Sequence, residues 1–396
     1  MRGAAAFWPR PLTEWRLADG TVRLAEELDE RPDGSIRARI GNREFYGLDF
    51  LIAGPEEVAA RSRPADAVRI ERTENGPFFG YLDQAGAETW RLRLPDGRPV
   101  ELPAAQVLRV SYPNRLGWFG RVGAWFAGVG RFIVEEPRNA NQEGGVWPAL
   151  VGTSLLVILM SLLVVPFGVL AAVYLNEYAR DTWFVRLVRV AVNNLAGVPS
   201  IVYGVFGLGF LIYGVGGAID RAFFAADLPR PTFGAGGVLW AAVTMALLTV
   251  PVVVVATEEG LRAVPRERRE AALALGATRW EMLRHVILPG ARPGILTGAI
   301  LAVSRAAGEV APLMLTGVVG FARELPIDGD FPYLHLQERF MHLGFHIYAV
   351  GFQAPNVEAA EPLVYATAAL LLALVLALNL TAIRLRARVR KRLEGR

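Results

Sequence analysis

Five apolar runs, each near the roughly 20 residues that cross the hydrocarbon of a bilayer, limit this chain to very few architectures. They cover residues 147–175, 190–215, 233–257, 294–319 and 363–383. In hydrocarbon no water satisfies the backbone, so each such run must be a helix. The apolar share of 53% and the mean hydropathy of +0.32 are concentrated after about residue 113. A mainly α, polytopic membrane fold is therefore expected, with a separate polar region ahead of it.

That polar region, residues 1–115, reads as a small β-rich domain. Alternating stretches such as Thr21-Val22-Arg23-Leu24, Ser35 to Ile40, Ala67 to Glu71 and Thr89 to Leu94 place apolar side chains on one face of a strand. Asp19-Gly20, Asp33-Gly34, Asn75-Gly76 and Asp96-Gly97 are hairpin pairs between them. An antiparallel sheet or small barrel is expected, and no catalytic constellation is visible in it. Residues 116–146 follow: an aromatic, glycine-rich segment at 117–134 with Arg121 and Arg131 inside, then a polar linker. Charge near its centre and its short length point to an interfacial helix, with Trp118, Phe119, Trp125 and Phe126 at headgroup level.

Arginine placement orients the runs, since Lys391 is the sole lysine. Arg180, Arg186 and Arg189 follow the first run, and Arg262, Arg266, Arg268 and Arg269 follow the third. Arg384, Arg386, Arg388, Arg390 and Arg392 follow the fifth, whereas the opposite loops carry only Arg221, Arg230, Arg323 and Arg339. The richer side is cytoplasmic, which puts the C-terminus inside and residues 147 and earlier outside. An external domain needs an export signal or a preceding helix, and no cleavable signal peptide is visible at residues 1–10. A transmembrane helix encoded upstream of Met1 is the expectation; the fallback is that 117–134 itself spans and leaves the domain cytoplasmic.

The loop between the third and fourth runs, 259–292, is too charged to span. Within it Glu270 to Leu275 favours a helix, Gly276 can end it, a second amphipathic turn runs from Thr278 to Leu288, and Pro289 is expected to stop it. Glu270-Ala271-Ala272, three residues, Gly276, nine residues, then Val286-Ile287-Leu288-Pro289 resembles the EAA loop of bacterial ABC-importer permeases, with Val286 in place of the usual isoleucine. The resemblance implies the MetI-like permease fold and a cytoplasmic loop that docks on a separate ATPase through Glu270, Ala271, Ala272, Gly276, Leu288 and Pro289.

The fourth run holds Arg305 and Glu309. Charges inside a span are costly and face a cavity or each other, and a spacing of four puts both on one helix face. Arg305 offers a fork suited to a multiply charged oxyanion, with Glu309 neutralising it between cargoes. The pair would equally serve as a self-neutralised packing element, and physics alone leaves both readings standing. The stretch Ser304-Arg305-Ala306-Ala307-Gly308-Glu309-Val310-Ala311-Pro312-Leu313, with Asn193 to Gly204, is similar to the PstA family of phosphate-importer permeases over about residues 144–388. That similarity implies Arg305 and Glu309 in the translocation path. It also implies a sister permease PstC, two copies of the ATPase PstB, delivery by the periplasmic binding protein PstS, and an extracytoplasmic insert. Permeases for molybdate, sulfate or phosphonate, and an ATPase-independent transporter or channel, are the alternatives.

Other signals are bland. The chain has no cysteine and no phosphate-binding Gly-x-x-x-x-Gly-Lys loop, so ATP hydrolysis belongs to a partner and no cofactor is expected. His342 and His346 share a helical spacing without acidic ligands nearby, so no metal is expected. The long aromatic stretch 320–361 is expected to face the outside or pack on the β-rich domain, and the Asn379-Leu380-Thr381 sequon lies inside a span.

Overall fold

A computed structural model describes residues 7–41, 50–54, 56–73, 76–138, 141, 143–322, 324–354 and 357–394. Asn75 and Arg323 lie outside these, as do the side chains of Arg390, Lys391 and Arg392. The chain divides into two compact units, Met1–Trp147 with Ile347–Thr367 and Pro148–His346 with Ala368–Arg396.

Among the described residues the first unit carries two five-stranded sheets and a short pairing of Pro137–Arg138 with Glu143–Gly144, where the sequence suggested one sheet or barrel. β1 (Leu12–Leu17), β2 (Val22–Glu30), β3 (Ile36–Ile40), β4 (Phe50–Ala53) and β5 (Val58–Ser62) form one antiparallel sheet in the order β4-β3-β2-β1-β5. β6 (Ala67–Arg72), β7 (Phe78–Ala85), β8 (Thr89–Arg93), β9 (Pro99–Pro103) and β10 (Val107–Ser111) form a second, β9-β8-β7-β6-β10. The two orders are the same: a four-strand meander whose fifth strand returns to pair with the first. In the second sheet a 3₁₀ turn, Ala104–Gln106, precedes that last strand. The unit is thus a tandem repeat of small SH3-like sheets.

Each sheet buries its own alternating face, Trp15, Ala25, Ile36, Ala38 and Ala53 in one and Val68, Ile70, Phe78, Leu92 and Leu102 in the other. Leu12, Leu24, Ala67 and Phe79 join them. The Asp-Gly turns work as their chemistry demands: the Asp19 carboxylate accepts from Thr21 N–H at 2.8 Å and Gly20 takes φ +86°. That hydrogen bond holds the Asp19 carboxyl below its ordinary value. Helix α1 (Trp118–Val134) then lays Gly128 and Phe132 inward, with the Phe7 ring tilted against Phe132 at 5.1 Å, and leaves Trp118, Phe119 and Phe126 exposed.

The first, third and fifth runs emerge as helices long and apolar enough to cross a membrane: α2 (Trp147–Tyr178), α5 (Val238–Arg262) and α10 (Val357–Glu394), which starts in the first unit, continues into the second and is long and apolar enough over Ala360–Arg388. The second run differs from expectation. Gly197 and Pro199 break it, so α3 (Trp183–Leu195) is a separate amphipathic helix and the crossing helix is α4 (Ser200–Phe223). The fourth differs at both ends. It begins at Arg279 and ends at Gly308, as α7 (Arg279–Gly308). Pro289 does not stop it, because Leu283–Ile287 form a wider π turn in which Leu288 N–H reaches Leu283 O. That extra residue relieves the clash a proline ring makes with the carbonyl four residues back. Past Gly308 the chain extends at Glu309 (φ −83°, ψ 135°), and Pro312 precedes a short helix α8 (Leu313–Thr316).

α5 and α7 are held together by small residues. A Cβ on Gly260 would lie 2.9 Å from Gly294 Cα, and one on Gly298 3.2 Å from Val253 Cα, so the backbones touch as small-residue packing allows. Gly294→Val is expected to destabilise the unit by about 1–3 kcal/mol, read as a lower thermal unfolding midpoint in detergent. Gly209→Val, where a Cβ meets open space, is the control expected to shift little.

The stretch 320–361 is not a plain loop. Phe340, Met341 and Leu343 are buried, Gly152 on α2 packs against the Met341 carbonyl, and a helix α9 (Leu343–Tyr348) follows. His342 and His346 are buried there, 0% and 1% exposed. Both nitrogens of His346 lack a hydrogen-bond partner among the described residues. Burial pushes both imidazoles down to about 4, so they fold neutral. The unfolded chain therefore binds more protons between pH 4 and 6.5, and stability falls as pH drops through that window. Each histidine accounts for up to roughly 3 kcal/mol by linkage. His346→Leu is expected to leave the midpoint at pH 7 unchanged or higher and to flatten its decline toward pH 4.

Candidate functional site

The segment 266–289 is built as a helical hairpin. Helix α6 (Arg266–Ala274) ends on Gly276, which adopts φ +85°. Ala277 N–H bonds Ala272 O and Gly276 N–H bonds Leu273 O, a Schellman closure. Thr278 then caps α7 in a reciprocal box with Glu281: Glu281 N–H donates to Thr278 Oγ1 at 3.3 Å, and Thr278 N–H to the Glu281 carboxylate at 2.8 Å. Both caps are local, which is why the sequence reveals the turn.

The hairpin presents its tip and buries its base. Glu270, Ala271 and Gly276 are exposed, and Leu275 is 89% and Trp280 57% exposed. Ala272, Leu288 and Pro289 are half-buried. Leu283 and Ile287 enter a core with Leu175, Val254, Leu261 and Val264, against which Leu288 packs. The six residues picked out by the resemblance therefore divide: Glu270 to Gly276 form the tip, and Leu288 with Pro289 belong to the anchor.

One long-range ion pair ties that hairpin to the end of α2 and another ties α3 to α5, and the sequence reading missed both. Arg269 donates Nη1 to both Glu177 oxygens, at 2.9 and 3.0 Å, and Nη2 to Leu261 O. Glu177 sits in the π turn that ends α2 and is only 11% exposed. Arg189 on α3 reaches Glu258 of α5 at 3.2 Å and Leu175 O at 2.7 Å. Pairs separated by 92 and 69 residues leave no periodic trace; the only signal was Glu177 and Glu258 next to apolar runs.

Arg305 and Glu309 meet at the break that ends α7. Arg305 Nε lies 3.6 Å from Glu309 Oε1, with side chains 31% and 24% exposed. They share no helix face, since Glu309 is already off the helix. Arg305 in the last turn complements the helix C-terminal dipole. The two segments singled out by sequence converge here: a Cβ on Gly204 would meet Pro312 Cα at 2.7 Å, Tyr203 donates to Leu195 O at 2.8 Å, and Tyr203 is within electrostatic reach of Arg305. Asn379 of α10 donates to Ser304 Oγ at 3.3 Å while its Oδ1 is buried without a partner among the described residues. A lone amide in an apolar run was its signal. No group of three or more metal-ligating side chains occurs among the described residues.

Residues 164–395 match the family described as "Binding-protein-dependent transport system inner membrane component". The "Phosphate transport system permease protein PstA" of Mycobacterium leprae is 38% identical over 185 residues, 47% of this chain and 54% of that protein. Its namesake in Haemophilus influenzae is 33% identical over 240 residues, 61% and 75% of the two chains. The chain spans little more than half the length of the first curated relatives it matches. Among solved structures, an inward-facing MetNI methionine ABC transporter is similar at a TM-score of 0.43 and 22% identity, over 62% of this chain and 94% of that one.

Proposed function

The chain belongs to the family of binding-protein-dependent transport system inner membrane components, and from that membership we propose that it is the membrane-spanning subunit of an ATP-driven importer of inorganic phosphate. The observation that carries the cargo is the Arg305–Glu309 pair at a helix break inside an apolar run. Broken spans place helix ends and unpaired backbone at transporter binding sites. A guanidinium there meets the oxygens of phosphate as a fork, which a packing pair alone would not need. Glu309 holds Arg305 when no anion is present. The names of the relatives favour phosphate over other oxyanions.

Coupling follows from continuity. α7 is one helix of 30 residues from Arg279, just after the hairpin tip, to Gly308, just past Arg305, about 45 Å at 1.5 Å per residue, and its glycines lock it to α5. Closure of a partner ATPase dimer of the PstB kind on Glu270, Ala271, Ala272 and Gly276 displaces α7 and α5 together. Leu288 and Pro289 seat the helix in the core that transmits the push. The Arg269–Glu177 pair carries the same displacement to α2, and the site at Glu309 opens to the other side. The chain is a transport subunit and does no covalent chemistry. Its partners on this reading are a PstC-like sister permease and a PstS-like periplasmic binding protein. The tandem sheets lie outside, α1 lies in the headgroup region, and the C-terminus is cytoplasmic.

Complementation tests the cargo. In a strain deleted for its own phosphate permease subunit, this chain expressed with its operon neighbours is expected to restore uptake of radiolabelled phosphate. Restored molybdate or sulfate uptake without phosphate uptake would reassign it.

A further inference from the structure

The first unit contains a cavity of about 300 Å³ whose walls come entirely from that unit, among them residues 7–10, β2, β3, β6, β10, α1, Glu135, Arg138, Glu143 and Pro362-Leu363. Its size is that of a small-ligand pocket. Among the described residues six arginines line it, Arg10, Arg39, Arg69, Arg109, Arg131 and Arg138, against four glutamates, Glu26, Glu71, Glu135 and Glu143, an excess of two positive charges.

The pairing inside is uneven. Glu135, at the end of α1, serves three guanidinium groups at once: Arg138 at 3.1 Å, Arg109 at 3.3 Å and Arg131 at 3.9 Å. Arg109 also takes Glu71 at 2.9 Å, and Arg69 takes Glu26 at 3.2 Å. The Nε–H groups of Arg69 and Arg138 are buried with no hydrogen-bond partner among the described residues. Buried donors on charged groups are costly to leave unmet. Burial pushes the Glu143 carboxyl up, against the pull of Arg39, Arg69 and Arg138. Around this polar floor stand Phe7, Trp8, Leu116, Phe132 and Leu363.

We propose that this cavity binds a phosphate-type oxyanion on Arg69, Arg109, Arg131 and Arg138. A tetrahedral anion brings several acceptor oxygens to donors that one carboxylate cannot satisfy, and the planar forks suit it. The apolar walls leave room for a substituent on the phosphate. Its source is either free phosphate or the phosphodiester of an anionic lipid, the latter brought close by the exposed Trp118 and Phe119 of α1, 69% and 88% accessible. The inference stands apart from the Arg305 reading and survives its failure.

The test uses the full chain carrying Arg305→Ala, so that anion binding at the translocation site is silenced. In one arm, protein in phosphatidylcholine nanodiscs is titrated with inorganic phosphate and followed by tryptophan emission, since Trp8 lines the cavity and its ring lies tilted 5.6 Å from that of Trp118, and by calorimetry. In the other, phosphate-free protein is compared in phosphatidylcholine and phosphatidylglycerol nanodiscs. Saturable phosphate binding identifies the free anion as ligand. A response confined to phosphatidylglycerol identifies the lipid. In either case Arg138→Gln and Arg109→Lys, checked for a cooperative melt, are expected to weaken the response at least tenfold. No response of the parent in either arm, or equal responses from folded variants, overturns the proposal.

Discussion

Replacing Arg305 by alanine is expected to lower phosphate uptake by roughly 10- to 100-fold while leaving expression, thermal unfolding and ATPase association unchanged. The magnitude follows from losing a charge-assisted, forked contact to an anion, worth about 1.5–3 kcal/mol, at a tenfold change per 1.4 kcal/mol. The side chain is partly exposed and its pair with Glu309 is long at 3.6 Å, so its removal leaves no tightly buried charge stranded and the fold tolerates it. Arg305→Lys keeps the charge and loses the fork, and is expected to fall between. Glu309→Gln removes the counter-charge, so phosphate binding tightens and release slows: the apparent KM drops together with the maximal rate. Unchanged uptake in Arg305→Ala would return the pair to a packing role.

The coupling hairpin yields the second large effect. Leu275→Asp places a charge on a side chain that is 89% exposed, so the isolated chain should fold and melt as before. If the tip is the docking surface, the aspartate is desolvated against the partner, and truncating or charging a central anchor costs about 2 kcal/mol or more. Co-purification of the ATPase is then expected to fall at least tenfold, with loss of ATP-driven uptake in proportion. Trp280→Asp should act in the same way, as another large exposed apolar group on the hairpin. Retained co-purification with retained uptake would place the docking surface elsewhere. Arg269→Gln separates contact from transmission: with Glu177 left unpaired, the ATPase should still bind while uptake falls.

What the residues revealed in advance followed from locality. Runs of about 20 apolar residues announce crossing helices because the bilayer imposes their length, and the Gly276 turn announces itself because the αL position and the Thr278–Glu281 box lie within a few residues. Breaks inside apolar runs were harder. Gly308 and Pro312 interrupt the fourth run, and hydropathy averages over them, so Glu309 was placed on a helix it has already left. Pro289 misled in the opposite direction, because a π turn absorbs it. The end of amphipathic α3 was folded into its neighbour's apolar run because Val190, Val192 and Leu195 continue the apolar pattern across the break at Gly197 and Pro199. The tandem sheets were invisible as a repeat, since strand order is shared while the side chains that fill each core differ. The ion pairs Arg269–Glu177 and Arg189–Glu258, and the Arg109–Glu135 and Arg69–Glu26 pairs of the first unit, join residues far apart in the chain, and only the folded backbone brings them together.

The most direct test of the central claim is ATP-dependent accumulation of radiolabelled phosphate in proteoliposomes. These would hold this chain with its sister permease and ATPase, supplied with the binding protein outside. Accumulation that requires ATP, and that Arg305→Ala and Leu275→Asp each lower about tenfold or more while both variants remain folded, is the predicted result. Phosphate movement that proceeds equally without ATP, or ATP-driven uptake of another oxyanion in place of phosphate, would contradict it.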